Sequence, residues 1–414
     1  MLKLNKKKLI LLYIFIYPIC DMLFTLIENI GISLVISPNQ IIRGIGLFLF
    51  LFCIKNLYNW IKVMLIILWS ICSFVIQINI FYSSSYITDL SFCLKFIQNF
   101  VFLFAFIQLY KDKVICFQEI IKYLIWSSYI AIFSILLSYV GIGSASYEGS
   151  SRLGVKGFFT IQSTITAYLL MIMPLYYLKF KKNFSIQMII CTFALFSIGS
   201  KTGVFGTLLE IIFISIFDLK KENYKNKTEK YLVFIGFAIS IAPAIMIRYI
   251  SYLMNIYHSN SYYYNLMAFL LSNRNDQIIA AQNGIVLIRD ELKIRIGYIF
   301  GYGYTSMSKI MSIHYNYDAI ERDFHGVFFY FGIVALMVLV YYLIKIIVRS
   351  IRLNFRFHFK NEYIYISFLI MCVGIIYGWL GGHVFYEAMN QLPFWIVAAF
   401  ILCYKVQNNS IERI

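Results

Sequence analysis

Long apolar runs recur along the chain, separated by short polar or basic segments, and a run of about 20 residues is what a helix needs to cross about 30 Å of hydrocarbon. Measured that way, the pattern predicts spans near 8–28, 40–55, 62–82, 88–110, 122–142, 157–178, 185–200, 203–218, 231–248, 324–346, 362–381 and 385–404. The expectation is an all-α, polytopic integral membrane protein with about 12 transmembrane helices. No internal repeat and no Pro- or Gly-rich linker divides residues 1–414, which read as a single integral-membrane domain. Lys6-Lys7-Lys8 ahead of an apolar run resembles the start of a cleavable leader. No small-x-small site follows it, and Pro18 and Asp21 interrupt the run, so an uncleaved first span is the reading taken.

One polar interval, 249–323, is far longer than the others. Loops beyond about 15 residues in a compact domain are functional or disordered. This one carries an ordered pattern: Asn275-Asp276 is placed to cap a helix over 276–293, with Ile278, Ile279, Ile285, Val286 and Leu292 favouring one apolar side. A helix lying along the membrane surface fits that pattern. Gly297, Gly301 and Gly303 are then expected to turn the chain.

Composition agrees and narrows the class. Of 414 residues, 61% are hydrophobic and 13% charged, with mean hydropathy +0.76. Soluble domains are about 45–50% apolar and about 25% charged, so a soluble globular protein, a disulfide scaffold and a disordered tail are all excluded. The formal charge of +17 would suggest nucleic acid in a soluble protein. In a membrane protein it records which loops stay inside. With the N-terminus cytoplasmic, 24 of the 36 Lys and Arg fall on the cytoplasmic side, and both termini lie there. The cytoplasmic membrane is the expected location, with 249–323 as a large extracytoplasmic loop and no nucleic-acid partner.

The cysteines all fall in predicted spans or on the cytoplasmic side, and none shows metal-ligand spacing. P-loop, GxSxG and dinucleotide-binding fingerprints are absent. No metal or cofactor is therefore expected. Polar residues from distant positions instead collect on the outer side: Arg152, Lys201 in Ser200-Lys201-Thr202-Gly203, Arg274, Glu321, Asp323, His325 and His383. Singly each has an ordinary reading: a snorkelling anchor for Arg152 or Lys201, an Arg274–Asp276 pair, helix-start carboxylates for Glu321 and Asp323, a hydrogen-bonded turn residue for His383. Tyr262-Tyr263-Tyr264 reads as an interfacial aromatic belt. Together, separated cations and a carboxylate on one side of a bilayer suit recognition of a diphosphate, because the planar arginine fork binds phosphate oxygens in pairs. Glu321 and His325 are i,i+4 and share a face if one helix carries both, so either is a candidate to activate a hydroxyl.

At these residues the sequence resembles the O-antigen ligase/O-antigen polymerase superfamily of bacterial polysaccharide assembly. Four elements carry the likeness: Arg152 followed by Gly157-Phe158-Phe159; Ser200-Lys201-Thr202-Gly203; Ser272-Asn273-Arg274 leading to Phe300-Gly301-Tyr302-Gly303; and Glu321-Arg322-Asp323-Phe324 upstream of Phe331-Gly332-Ile333-Val334. Tyr17-Pro18-Ile19-Cys20-Asp21 and Ser37-Pro38-Asn39-Gln40-Ile41-Ile42-Arg43 resemble polymerase-like members. The chain departs from the common pattern in three places. Lys201 stands where Arg is usual, Glu321-Arg322 where many ligases carry His-Asn, and Gln162 and Ser163 lie where an Asn is often found.

The resemblance implies a metal-independent membrane glycosyltransferase, with Glu321 ranked above His325 as the catalytic residue. Its donor would be a glycan on undecaprenyl diphosphate and its acceptor a sugar hydroxyl of another lipid-linked repeat unit, giving O-antigen, capsule or exopolysaccharide polymer. Arg152, Arg274 and Lys201 would bind the diphosphate, with Asp323 and His383 in support, and the loop helix would exclude water. Membrane lipids, a chain-length regulator and a flippase are the implied partners. Two alternatives stand beside the polymerase: a ligase using a different acceptor, and a lipid-linked oligosaccharide flippase or other transporter.

Overall fold

The computed structural model describes residues 6–29, 31, 38–81, 85–146, 154–180, 184–219, 274–288 and 290–404. Arg152, the predicted span at 231–248, Tyr262-Tyr263-Tyr264 and Ser272-Asn273 lie outside the described residues. In chain order the helices are α1 (Lys6–Asn29), α2 (Pro38–Leu51), α3 (Leu57–Phe81), α4 (Tyr86–Lys111) and α5 (Phe117–Leu137). A minimal antiparallel pair follows, β1 (Ser144–Ala145) with β2 (Val155–Gly157). Then come α6 (Gln162–Phe180), α7 (Phe184–Ile198), α8 (Lys201–Leu219), α9 (Arg274–Val286), α10 (Glu291–Phe300) and α11 (Tyr304–Tyr315). The chain finishes with α12 (Asp323–Arg356), α13 (Glu362–Leu380) and α14 (Ala388–Cys403).

The protein is an all-α polytopic membrane protein. Among the described residues six helices are long and apolar enough to cross a membrane: Lys6–Ile27, Leu57–Phe81, Tyr86–Lys111, Phe117–Val140, Asp323–Arg356 and Glu362–Leu380. Gln40–Leu51, Ile186–Ile198 and Met389–Cys403 are apolar but shorter, and the expected span at 231–248 lies outside the described residues, so the described residues give six such helices of the twelve expected. The predicted span at 157–178 starts late for a local reason. Val155–Gly157 pairs with Ser144–Ala145, so the chain is still extended there and α6 begins only at Gln162.

Burial explains which helices form the centre. α4 is buried on every side from Phe96 to Tyr110, and α6 from Ser163 to Leu178; a helix apolar all round has no face to give to water and belongs inside a bundle. The α4–α14 interface is the most extensive in the fold. Peripheral α3 reverses the soluble pattern. It exposes Leu65, Leu68, Ile71 and Val75, and it buries Val63, Ser70, Ser73 and Gln77. Apolar side chains face lipid while small or hydrogen-bonding ones face protein, as expected where lipid is no less apolar than the helix.

The long loop corrects one expectation outright. Instead of a single helix over 276–293 there are two, because Asp290 accepts hydrogen bonds from the backbone N–H groups of Leu292 (3.0 Å) and Lys293 (3.3 Å) and starts a new helix. Nor do the apolar residues share one side. Ile278 and Ile285 are buried, whereas Ile279, Val286 and Leu292 are exposed, and α9 packs against α11. Asn275 and Asp276 sit inside the first turn of α9 and do not cap it.

Two glycine motifs meet where α10 ends against α12. Gly332 interrupts α12 with φ 82° and ψ 178°, and a Cβ there would lie 2.0 Å from the Ile299 carbonyl oxygen. Only glycine permits both the dihedral and the approach. The crossing is closed by hydrogen bonds from Tyr302 N to Phe329 O (2.8 Å) and from Gln77 Nε2 to Phe300 O (2.9 Å) and Tyr330 O (2.7 Å). Carbonyls freed by the kink thus find partners, without which non-helical backbone inside a membrane protein costs several kcal/mol per group.

Candidate active site

The loop between α13 and α14 is the floor of the site. Residues 381–387 are non-helical yet largely buried, so their backbone groups need partners from side chains. Asp323, the fully buried first residue of α12, supplies three. Its carboxylate accepts from the backbone N–H of His383 (2.8 Å), Val384 (2.7 Å) and Phe385 (2.9 Å). Asn390 Nδ2 donates to the His383 carbonyl (2.7 Å), and Asn99 Nδ2 (2.9 Å) and Gln391 Nε2 both donate to the Phe385 carbonyl. Asn99 is held in turn by Trp395 Nε1 (2.8 Å). Gly382, at φ 72°, lets the loop pass against the Glu321 carbonyl, which a Cβ would overlap.

Above this floor, α9 and the segment before α12 are locked together. Arg274 donates from Nε and Nη2 to the same Glu321 oxygen, each at 2.8 Å. Arg322 Nη1 donates to Asn275 Oδ1 (3.0 Å), and its Nε to the Trp379 carbonyl (2.9 Å), with the guanidinium 5.9 Å from the Trp379 ring. Glu321 N donates to Gln277 Oε1 (3.1 Å). Burial, with the nearby Arg274 charge adding to it, lowers the Arg322 pKa. The carboxylate of Glu321 stays 39% exposed against 13% for Arg274, so the pair is open on the carboxylate side.

Glu321 and His325 do not share a helix face. α12 begins at Asp323, with Glu321 two residues ahead of it, because Asp323 is drawn inward to the 383–385 amides. His325 instead packs its ring edgewise on Trp379, 6.3 Å between centroids. Its Nδ1 is buried without a hydrogen-bond partner among the described residues. The i,i+4 argument for this pair therefore fails. The expected Arg274–Asp276 pairing is likewise replaced by Arg274–Glu321.

Lys201 opens α8 in a turn tied to the neighbouring helices. Ser200 Oγ lies 3.1 Å from Thr166 Oγ1 and accepts from Gly203 N (3.1 Å). Thr202 Oγ1 donates to the Tyr377 hydroxyl (3.4 Å), which donates to Ser163 O (3.0 Å). Gly154 abuts Ile198 next to this turn, but Arg152 is outside the described residues.

A second charged group lies at the end of this loop, and the sequence reading did not single it out as a site. Glu387 accepts from Lys95 Nζ (2.9 Å) and pairs with Arg43 Nη2 (4.0 Å); the side chains are 20%, 14% and 7% exposed. Burial works against the charge on Glu387, but Lys95 and Arg43 outweigh it and hold the carboxyl below its ordinary value. His383 lies in the field of both groups, with Glu387, Glu321, Arg274 and Lys95 all acting on it. Burial leads and lowers its pKa. A usable signal existed in the sequence: a lysine at membrane depth such as Lys95 is costly alone and requires a partner.

Among the described residues no group of three or more His, Cys, Asp or Glu side chains is arranged to hold a metal ion. Comparison with curated protein sequences finds no match. Arg274, Glu321, Asp323, His383 and Glu387 all lie beyond residue 265, where a family match ends. That match spans residues 3–265, more than half of the chain, and it shows that the chain belongs to the family described as O-antigen ligase like membrane protein.

Proposed function

We propose that the protein is a membrane glycosyltransferase that moves a glycan from undecaprenyl diphosphate to an acceptor hydroxyl at the extracytoplasmic end of the bundle. The observation that carries this reading is the Arg274–Glu321 pair, two 2.8 Å contacts beside a buried loop whose 383–385 amides Asp323 holds. In the resting protein each partner masks the other. An arriving diphosphate competes for the Arg274 fork, which suits phosphate oxygens as well as it suits a carboxylate, and Glu321 is released to work as a base. The acceptor oxygen then bonds to the anomeric carbon as the bond from that carbon to the diphosphate oxygen breaks. The electron pair leaves with the lipid diphosphate, whose charge Arg274 stabilises, assisted by Arg152 and Lys201. The acceptor proton passes to Glu321.

Family membership supports the ligase-type form, with the glycan attached to an acceptor other than a further repeat unit. Polymerisation is the second reading, favoured by Glu321-Arg322 in the place where many ligases carry His-Asn. The two separate in a cell lacking the gene: unattached long polymer marks a ligase, single repeat units a polymerase. In that cell, Arg274→Ala and Glu321→Gln at normal protein levels are expected to leave the glycan on its lipid carrier. Full glycan product from both variants would overturn the mechanism.

A further inference from the structure

We infer that Arg43 and Lys95 form a second anion subsite, which takes the phosphate headgroup of a second membrane lipid, the acceptor of the transfer. The inference rests on the donor reading of Arg274 and Glu321 above.

The second group repeats the construction of the first. In both, a carboxylate occupies the cation that an anionic ligand would want: Glu321 on Arg274, Glu387 on Lys95 and Arg43. Lys95 and Glu387 of the second group act on His383 electrostatically, as do Arg274 and Glu321 of the first. Arg43 is not fully used by its neighbours. It is 6% exposed, and its Nε is buried with no hydrogen-bond partner among the described residues. Its Nη2 sits 4.0 Å from Glu387, longer than a good charge-assisted contact of about 2.7–2.9 Å. Tyr17 acts electrostatically on Arg43, and Asp21 adds a further carboxylate in the field of Lys95. A phosphate would therefore displace Glu387 instead of adding to it.

The surroundings fit a lipid better than a free ion. α2 stands at the bundle edge with Ile41, Ile45 and Phe48 exposed, while Arg43, Leu47 and Phe50 turn inward. A prenyl or acyl chain can lie along the exposed stripe with its headgroup at Arg43. Lys95 lies 4.6 Å from the Phe92 ring, and Phe92 stacks on Tyr304 at 3.7 Å, so aromatic rings pack beside the group. Transfer between two lipid-borne substrates needs two headgroup positions with the reacting sugar between them.

The test is a binding titration of the purified full chain in phosphatidylcholine nanodiscs with farnesyl diphosphate. Two equivalents are expected. Arg274→Ala loses one and keeps the other. Glu387→Gln, which removes the internal competitor, tightens the second equivalent by about tenfold or more; a purely structural role would weaken or leave it. The charge-balanced Lys95→Met/Glu387→Gln variant loses the second equivalent only. A single equivalent, abolished by Arg274→Ala and indifferent to Lys95→Met/Glu387→Gln, overturns this inference and leaves the donor reading standing. No binding at all overturns both. Inorganic diphosphate is expected to bind the second position more weakly than farnesyl diphosphate; equal binding overturns its assignment to a lipid.

Discussion

At the scale of single residues, the account turns on what each buried charge is doing. Arg274 and Glu321 pair with each other, and the proposed mechanism has a ligand exchange for that contact on its exposed Glu321 side. Glu321→Gln is expected to cut transfer by about 10²–10⁴-fold, the usual worth of a general base, while leaving the thermal midpoint little changed. Asp323 is the opposite case. Its carboxylate satisfies three backbone N–H groups of the 383–385 loop, so Asp323→Asn is expected to cost about 1–3 kcal/mol, measurable as a lower denaturation midpoint. His383 gives a pH signature. Its pKa lies below the ordinary value of about 6.5, so the folded state prefers the neutral ring. Its contribution is fully present above that pH and is lost as pH falls through it. The native chain should therefore lose more of its thermal midpoint on acidification than His383→Asn, which tolerates the local φ of 66°. Arg274, Glu321 and Asp323 were legible because the family resemblance fell on short motifs containing them. Glu387 was not, because it falls at the start of an apolar run that reads as the last span, and nothing in the local pattern says that it faces Lys95 and Arg43.

At the scale of elements, hydropathy locates helices well and locates breaks poorly. α1, α3, α4 and α13 appear close to where apolar runs of crossing length place them. The break between α9 and α10 depends on one capping side chain, Asp290, and the late start of α6 on a short strand pair, signals too small for a window of about 20 residues to register. The kink at Gly332 was visible only as a motif, and its partner, Phe300-Gly301-Tyr302-Gly303, was visible only as a second motif; their contact is a tertiary fact. Gly332→Ala places a methyl group against the Ile299 carbonyl at a positive φ. It is expected to lower stability by about 2 kcal/mol or more. Gln77→Leu is expected to cost about 1–3 kcal/mol by leaving the Phe300 and Tyr330 carbonyls without their donor. Differential scanning of the two variants in detergent checks both.

At the scale of the whole molecule, the charge that dominates the composition and the charge proposed to do chemistry are different populations. Most Lys and Arg were read as orientation signals along one face, whereas the proposed site uses a few cations held against carboxylates within the bundle. Membership in the O-antigen ligase like family fixes the broad class, and the pairing of Arg274 with Glu321 is the observation on which the proposed mechanism rests. The most direct test is reconstitution of the purified protein with a glycan on undecaprenyl diphosphate and a hydroxyl-bearing acceptor, following both the freed lipid diphosphate and the new glycosidic bond. The account predicts equal amounts of the two products from the native chain and neither from Arg274→Ala or Glu321→Gln. Movement of the lipid-linked glycan across the bilayer with its diphosphate bond intact, or undiminished transfer by both variants, would contradict it.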